Sequence, residues 1–452
     1  MERKILSSLL KWKNSPYRKP LILKGVRQVG KTWVLKEFAR KYYKSMAYFN
    51  FDEHMEYQDF FKSTKDIERI LQNLILASGQ QIEKTNTLII FDEIQACPNA
   101  LNTLKYFFEN ANEYHVACAG SLLGIALSRP SSFPVGSVDF LELYPMSFSE
   151  FLPANGDENL ASYMDSLNSL EPIPSPFFNP LCEKLKMYYV SGGMPEPLKR
   201  WTQERDVEAM QNALMNILNA YERDFAKYPE PSEYPKVSAI WKSMPSQLSR
   251  ENKKFLFKLA KEGARAREYE DALQWLVDAG LLSKVYRSSR PGLPISAYDD
   301  LSAFKLYLVD SGLLRRLSLL SPTAFGDGNR LFTEFKGALS ENFILQSLRP
   351  LFEAVPRYWS SDNPRYEVDF LIQRDNDVFP VEVKAEQNTE SKSLRKFKEK
   401  FGDQVKLRIR FSLDNLRLDG DVLNIPLFLV DHCERLIEMA LHRRPLDSES
   451  FY

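Results

Sequence analysis

The sequence predicts an α/β protein in three parts. A three-layer domain on a parallel sheet is expected at 1–155, a helical and winged-helix region at 181–320, and a second α/β domain at 321–452. Three observations carry that prediction. A glycine-rich loop sits between a short apolar run and an amphipathic stretch near the start. A second apolar run closes on two adjacent acids further along. Near the end, two apolar runs flank a polar turn, one carrying Asp369 and the other Glu382-Val383-Lys384.

The loop reads Gly25-Val26-Arg27-Gln28-Val29-Gly30-Lys31-Thr32, after Pro20-Leu21-Ile22-Leu23 and before the amphipathic stretch Trp33 to Tyr43. Strand, glycine-rich loop and helix in that order make a phosphate-binding P-loop. Gly25 and Gly30 let the backbone bend so that its N–H groups surround phosphate oxygens. The start of the following helix adds a field that favours an anion. Lys31 would reach the β- and γ-phosphates, and the Thr32 hydroxyl would ligate Mg²⁺. Residues 25 to 33, Trp33 included, are therefore the candidates for holding ATP.

Met46 to Phe51 reads as a second strand, with helical segments up to Gly79. Thr87-Leu88-Ile89-Ile90-Phe91-Asp92-Glu93 reads as a buried parallel strand delivering carboxylates to its C-terminal edge, the Walker B pattern. Asp92 would hold the Mg²⁺ shell through water, and Glu93 would orient and deprotonate the attacking water. Tyr114 to Ala119 is a further strand, ending in Gly120-Ser121. Ser121 reads equally as a cap for the helix expected from Leu122. Val138 to Leu143 alternates like a strand with one solvated face. Five strands with helices between them make a three-layer domain.

GVRQVGKT, LIIFDEIQ, AGSLLG and LELYPMSFSEF together resemble the prokaryotic AAA-family ATPases that carry a C-terminal domain of unknown function. YVSGGMPEP, YERDFAKY, FKLYLVDSGLL and FKGALSENFILQSL extend the resemblance over almost the whole chain. It implies an ATPase in which Ser121 senses the γ-phosphate. Such proteins usually carry a basic residue after the glycine just before the last strand of the ATPase domain. Here the site reads Val135-Gly136-Ser137-Val138, which leaves Arg129 and Arg223 as candidates for a phosphate-facing finger.

Residues 155–180 are polar and proline-rich and read as an exposed linker or extended connection. From Leu181 to Ala226 the pattern is helical, broken by Gly192-Gly193-Met194-Pro195. Tyr234 to Ser249, Glu251 to Lys261 and Arg265 to Ala279 read as three helices. Strands at Leu282 to Arg287 and Ala303 to Val309 complete a winged-helix outline, whose third helix can enter the major groove of DNA. Lys253, Lys254, Lys258, Lys261, Arg265 and Arg267 would contact phosphates, with Arg287 and Arg290 on the wing. Glu262, Glu268, Glu270 and Asp271 dilute that patch, and a solvated surface reads as well.

In the last third, Glu341 falls in a helical stretch, Phe335 to Leu348. Tyr366 to Ile372 and Val378 to Ala385 are strands, and alternation puts Glu382 and Lys384 on one face. Helix-Glu, strand-Asp and Glu-x-Lys in this order resemble the PD-(D/E)XK nucleases, the restriction-endonuclease-like fold. The resemblance implies a catalytic set of Glu341, Asp369, Glu382 and Lys384. Asp369 and Glu382 would hold Mg²⁺ with oxygen ligands, and Lys384 would stabilise the attacking hydroxide. A packed scaffold that does not cut is the competing reading. Lys392, Arg395, Lys396, Lys398 and Lys400 give the next helix a basic face. A strand from Leu423 to Val430 and a last helix close the chain, with a loose tail after Arg444.

Lys plus Arg and Asp plus Glu both number 60 in 452 residues, so any nucleic-acid binding must come from a local patch. The four cysteines, Cys97, Cys118, Cys182 and Cys433, lie far apart and read as thiols of a reducing compartment. Trp12-Lys13-Asn14 ends the first apolar stretch too early for a signal peptide, and no run is long enough to span a bilayer. A cytoplasmic ATPase is expected, with ATP and Mg²⁺ as cofactors and no membrane. DNA, a protein partner or further copies of the chain are its candidate partners.

Overall fold

The computed structural model describes residues 1–121, 136–227, 230, 232–250, 253–325, 333–361, 366–385 and 391–442. It divides into two compact units, one of Met1–Tyr144 with Asp278–Leu281, the other of Pro145–Val277 with Leu282–Tyr452.

The first unit runs α1 (Ile5–Asn14), β1 (Leu21–Lys24), α2 (Lys31–Tyr42), β2 (Ser45–Asn50), α3 (Tyr57–Ser63), α4 (Ile67–Ser78), β3 (Thr87–Asp92), α5 (Pro98–Asn110), β4 (His115–Ala119) and β5 (Asp139–Glu142). The strands form a five-stranded sheet in the order β2-β3-β4-β1-β5. Every pairing is parallel, so the loop after β1 and the acids closing β3 share one edge. β3 and β4 are buried along their whole length, which is why both read as unbroken apolar runs. Phe49, Phe51, Phe61, Phe91 and Phe107 form the core on one face. β2 is an edge strand, and the Gln80 amide occupies the outer side of Tyr48, accepting from its N–H at 2.7 Å and donating to its carbonyl at 3.0 Å.

The second unit begins with α6 (Phe148–Ala154), α7 (Glu158–Ser166), α8 (Ser175–Ser191), α9 (Pro195–Lys199), α10 (Val207–Lys227), α11 (Tyr234–Leu248), α12 (Phe257–Ala260) and α13 (Ala266–Asp278). The hairpin β6 (Leu282–Ser288) and β7 (Asp299–Leu308) follows, then α14 (Ser311–Leu317) and α15 (Thr333–Leu348). The chain continues through β8 (Arg357–Ser360), β9 (Glu367–Arg374), β10 (Asp377–Val383), α16 (Lys392–Phe401), β11 (Arg408–Ser412), β12 (Arg417–Asp419), β13 (Val422–Pro426) and α17 (Cys433–His442). Eight strands make one sheet in the order β12-β13-β11-β10-β9-β8-β6-β7. β9 and β10 pair antiparallel, whereas β10 and β11 pair parallel. Trp359, Val368, Leu371, Val378, Leu394 and Phe397 fill a core between this sheet and α16.

Three expectations are corrected or extended. Residues 155–180 are not an exposed linker: α7 and the start of α8 take up much of them, with Ala161 and Met164 buried on α7 and Leu170 and Ile173 buried on the connection between the two helices. Pro176 lies in the first turn of α8, where its missing N–H costs no helical bond. The helix expected at 251–261 is a single turn, because Phe255 runs extended and donates its N–H to Phe304 of β7 at 2.8 Å. The hairpin expected as the wing of a winged helix also continues the sheet, through the pairing of Arg287 in β6 with Tyr358 in β8.

The Gly192-Gly193 break also gains a reason. Asp310 is fully buried, and a Cβ at Gly192 would collide with its carboxylate. That carboxylate accepts from Gly193 N at 2.7 Å and caps α14 through Leu313 N at 2.9 Å. Two of the family-like stretches thus meet in one buried hydrogen-bonded junction.

Candidate functional site

Gly25 and Gly30 hold φ angles of 147° and 99°, and Gln28 between them sits at 65°. A Cβ at Gly25 would collide with the Leu143 carbonyl. Val26, Arg27, Gln28 and Val29 form the rest of the loop, and Lys31, Thr32 and Trp33 the first turn of α2. The first backbone bond of that helix runs from Val34 N to Gly30 O at 2.9 Å, so the N–H groups ahead of it remain available to an anion. Lys31 is buried and folds back, with Nζ 2.9 Å from both Gly25 O and Val26 O. Burial lowers its pKa to about 8, and the nearby Arg27 charge adds to this against the attraction of Glu93 and Asp92.

Asp92 closes β3 in a buried position. Its Oδ2 accepts from Thr32 Oγ1 at 2.7 Å and from the Tyr48 hydroxyl at 2.8 Å, and its Oδ1 accepts from Glu93 N at 3.1 Å. Glu93 adopts a left-handed backbone at φ 48°, which turns its side chain toward Ser121. Glu93 Oε2 accepts from Ser121 Oγ at 2.9 Å, from Ser121 N at 3.3 Å and from Gln95 Nε2. Burial works to raise the Glu93 pKa, but those hydrogen bonds and the Lys31 charge outweigh it and leave it lowered. Among the described residues, every group that hydrogen-bonds these two acids is neutral.

Ser121 therefore binds Glu93, and the helix expected after it lies outside the described residues, as does Arg129. Arg223 is exposed on α10, and Ser137 is buried. Sequence reasoning missed Tyr48 and Gln95. Tyr48 lies on the edge strand with Lys36 Nζ 3.4 Å from its ring centre, and only the register of β2 on β3 reveals it. The oxygen donors Thr32 and Asp92, already 2.7 Å apart, suit a hard cation such as Mg²⁺.

The four residues singled out in the last third have different surroundings. Glu341 on α15 is buried and bonded to Lys253 Nζ, and it accepts from the Tyr307 hydroxyl at 3.2 Å. Lys305 of β7, fully buried, pairs with Glu367 of β9 at 2.5 Å. Burial opposes the Lys305 charge, but Glu367, Glu341 and Asp369 overcome it and hold its pKa raised. Asp369 accepts from Val383 N at 2.8 Å, and burial followed by the Glu341 charge pushes its pKa well above the carboxylate range. Buried Glu382 pairs with Lys384 at 2.8 Å, while its Oε2 has no hydrogen-bond partner among the described residues.

Among the described residues no group of three or more His, Cys, Asp or Glu is placed to hold a metal ion. Glu341 and Asp369 lie close enough for the Glu341 charge to raise the Asp369 pKa, while Glu382 is held by Lys384. Lysines pair with Glu341, Glu367 and Glu382, whereas Asp369 accepts from a backbone N–H. Lys253, expected as a phosphate contact, is instead buried against Glu341. Arg287 is paired with Asp300 and Arg290 stacks on Tyr298 at 4.3 Å, while Lys258, Lys261, Arg265 and Arg267 remain exposed.

Comparison with known proteins agrees with the first unit. Residues 17–152 match the family model of an AAA domain, and this part of the chain is an AAA-type P-loop domain. Residues 182–324 and 336–428 match two models, each described as a domain of unknown function (DUF8612 and DUF4143). A Haemophilus influenzae protein described as uncharacterized is 26% identical over 174 residues, covering 36% of this chain and 40% of that relative's length. The Walker-type ATPase PABY2304 of Pyrococcus abyssi is 14% identical at a TM-score of 0.43, covering 70% of this chain and 95% of that one. The ORC1 protein of Aeropyrum pernix, solved in complex with DNA, is 13% identical at 0.28, covering 70% and 91%. Among the described residues no helix is long and apolar enough to cross a membrane.

Proposed function

We propose that this chain is a Mg²⁺-dependent AAA-type ATPase whose second unit is a nucleotide-gated binding element rather than a nuclease. The ATPase reading is carried by Asp92 and Glu93, which meet the P-loop at one sheet edge and, among the described residues, accept from neutral hydrogen-bond donors only. Thr32 and Asp92 would hold Mg²⁺, which when bound supplies charge neutralisation at the β- and γ-phosphates. Lys31 swings from the two loop carbonyls onto the phosphates. Glu93, released from Ser121 and Gln95, takes the proton of the attacking water. Lys31→Ala should abolish tight ATP binding, and Glu93→Gln should keep binding while lowering turnover at least about a hundredfold. Unchanged steady-state phosphate release in both variants would remove the reading.

The non-cutting reading of the second unit rests on Lys253, Lys305 and Lys384 beside Glu341, Glu367 and Glu382. DNA is the partner we assign to it, through exposed Lys258, Lys261, Arg265 and Arg267 and the exposed Lys392, Arg395, Lys396 and Lys400 of α16. Duplex affinity should then fall with salt at a log–log slope of about −0.9 per phosphate contacted. Affinity that ignores salt would move the interface to another surface or another partner.

A further inference from the structure

Arg3 lies ahead of α1, outside the loop motif and outside the stretch matched by the AAA family model. It is 4% exposed, which is rare for an arginine. Its Nη1 donates to Val29 O at 3.2 Å and its Nη2 to Tyr144 O at 2.6 Å. We propose that Arg3 is a positioning residue for the nucleotide phosphates, holding the P-loop open from behind. The inference rests on the ATP-binding reading and names a further residue of the same site.

A trans peptide points its C=O and the next N–H in opposite directions. With the Val29 carbonyl held toward Arg3, the Gly30 N–H faces the other way, into the loop's concave side. Val29 O is also the acceptor that the first turn of α2 would otherwise take from Trp33 N. Among the described residues it accepts from Arg3 alone, so both the Gly30 and Trp33 N–H groups are left for an anion.

Lys31 holds the other loop carbonyls, Gly25 O and Val26 O, but must leave them when it moves to a phosphate. Arg3 has no such move to make. Its second hydrogen bond, on Tyr144, fixes it just beyond β5. The helix it precedes is itself anchored, with Trp12 donating to Lys19 O at 2.8 Å and its ring tilted against Phe38 of α2 at 6.5 Å. The loop therefore keeps one permanent clamp throughout nucleotide exchange.

The test is titration of the full chain with MgATP and MgADP, with steady-state ATPase kinetics alongside. Arg3→Met should weaken both nucleotides about tenfold or more, raising KM with kcat nearly kept, because oriented donors to a charged phosphate are lost. Arg3→Lys, which keeps one donor, should recover part of the loss. Leu9→Ala removes a buried side chain from α1 and controls for stability; it should leave affinity unchanged below its unfolding range. Wild-type affinity in Arg3→Met, or equal weakening in Leu9→Ala, overturns the inference while the ATP site stands. A wild-type chain that binds neither nucleotide overturns the ATP reading, and this one with it.

Discussion

The two units each gather buried and half-buried acids, and they treat the charge in opposite ways. Asp92 and Glu93 are met by hydroxyls, an amide and backbone N–H groups, with Lys31 nearby but bonded to carbonyls. Glu341 and Glu367 are met by the buried ammonium groups of Lys253 and Lys305, and Glu382 by the partly exposed Lys384. A hydroxyl can turn aside for a metal or a phosphate at the cost of about one hydrogen bond. A buried ammonium cannot leave without stranding the carboxylate it neutralises. On the function proposed above, the first arrangement can take up ligands, and the second supplies its own cations.

The largest effect that would break this comparison is at Lys253. Lys253→Met should destabilise the chain by about 3–5 kcal/mol, since Glu341 is left buried without its partner. Adding Glu341→Gln should recover much of that loss. Denaturant unfolding reads both. A single variant as stable as wild type would mean that the pair does not hold the unit together.

A smaller effect sharpens the other side. Phosphate binding needs the ammonium form of Lys31, whose pKa burial lowers to about 8. Below that pH the free site is already charged and affinity is flat. Above it binding must take up a proton, so ATP affinity should fall with pH by up to about tenfold per unit. Calorimetry in buffers of different ionisation enthalpy measures the uptake directly. Affinity independent of pH from about 7 to about 10 would show that Lys31 stays charged in the free site.

The sequence made the first site legible because its parts are contiguous: a loop with two fixed glycines, and an apolar strand ending in acids. All five strands of that sheet were visible for the same reason. Tyr48 was not, since its role depends on β2 lying beside β3. In the second unit the strands holding Asp369 and Glu382 could be read, but β8, β11 and β12 are short and lack clean alternation. The pairing of Glu341 with Lys253 joins residues 88 positions apart, and no local pattern announces it. Lys253 read as a surface charge because its neighbours are lysine and asparagine; only the extended run of Phe255 onto β7 turns it inward.

The most direct test counts metal ions. Mn²⁺ binding to the full chain, followed by electron paramagnetic resonance with a non-hydrolysable ATP analogue present, should give one tight ion per chain. Asp92→Asn should remove that ion, and Asp369→Asn should leave it untouched. A second tight ion per chain, lost in Asp369→Asn, would contradict the account, because the lysines of the second unit would then have failed to take the metal's place.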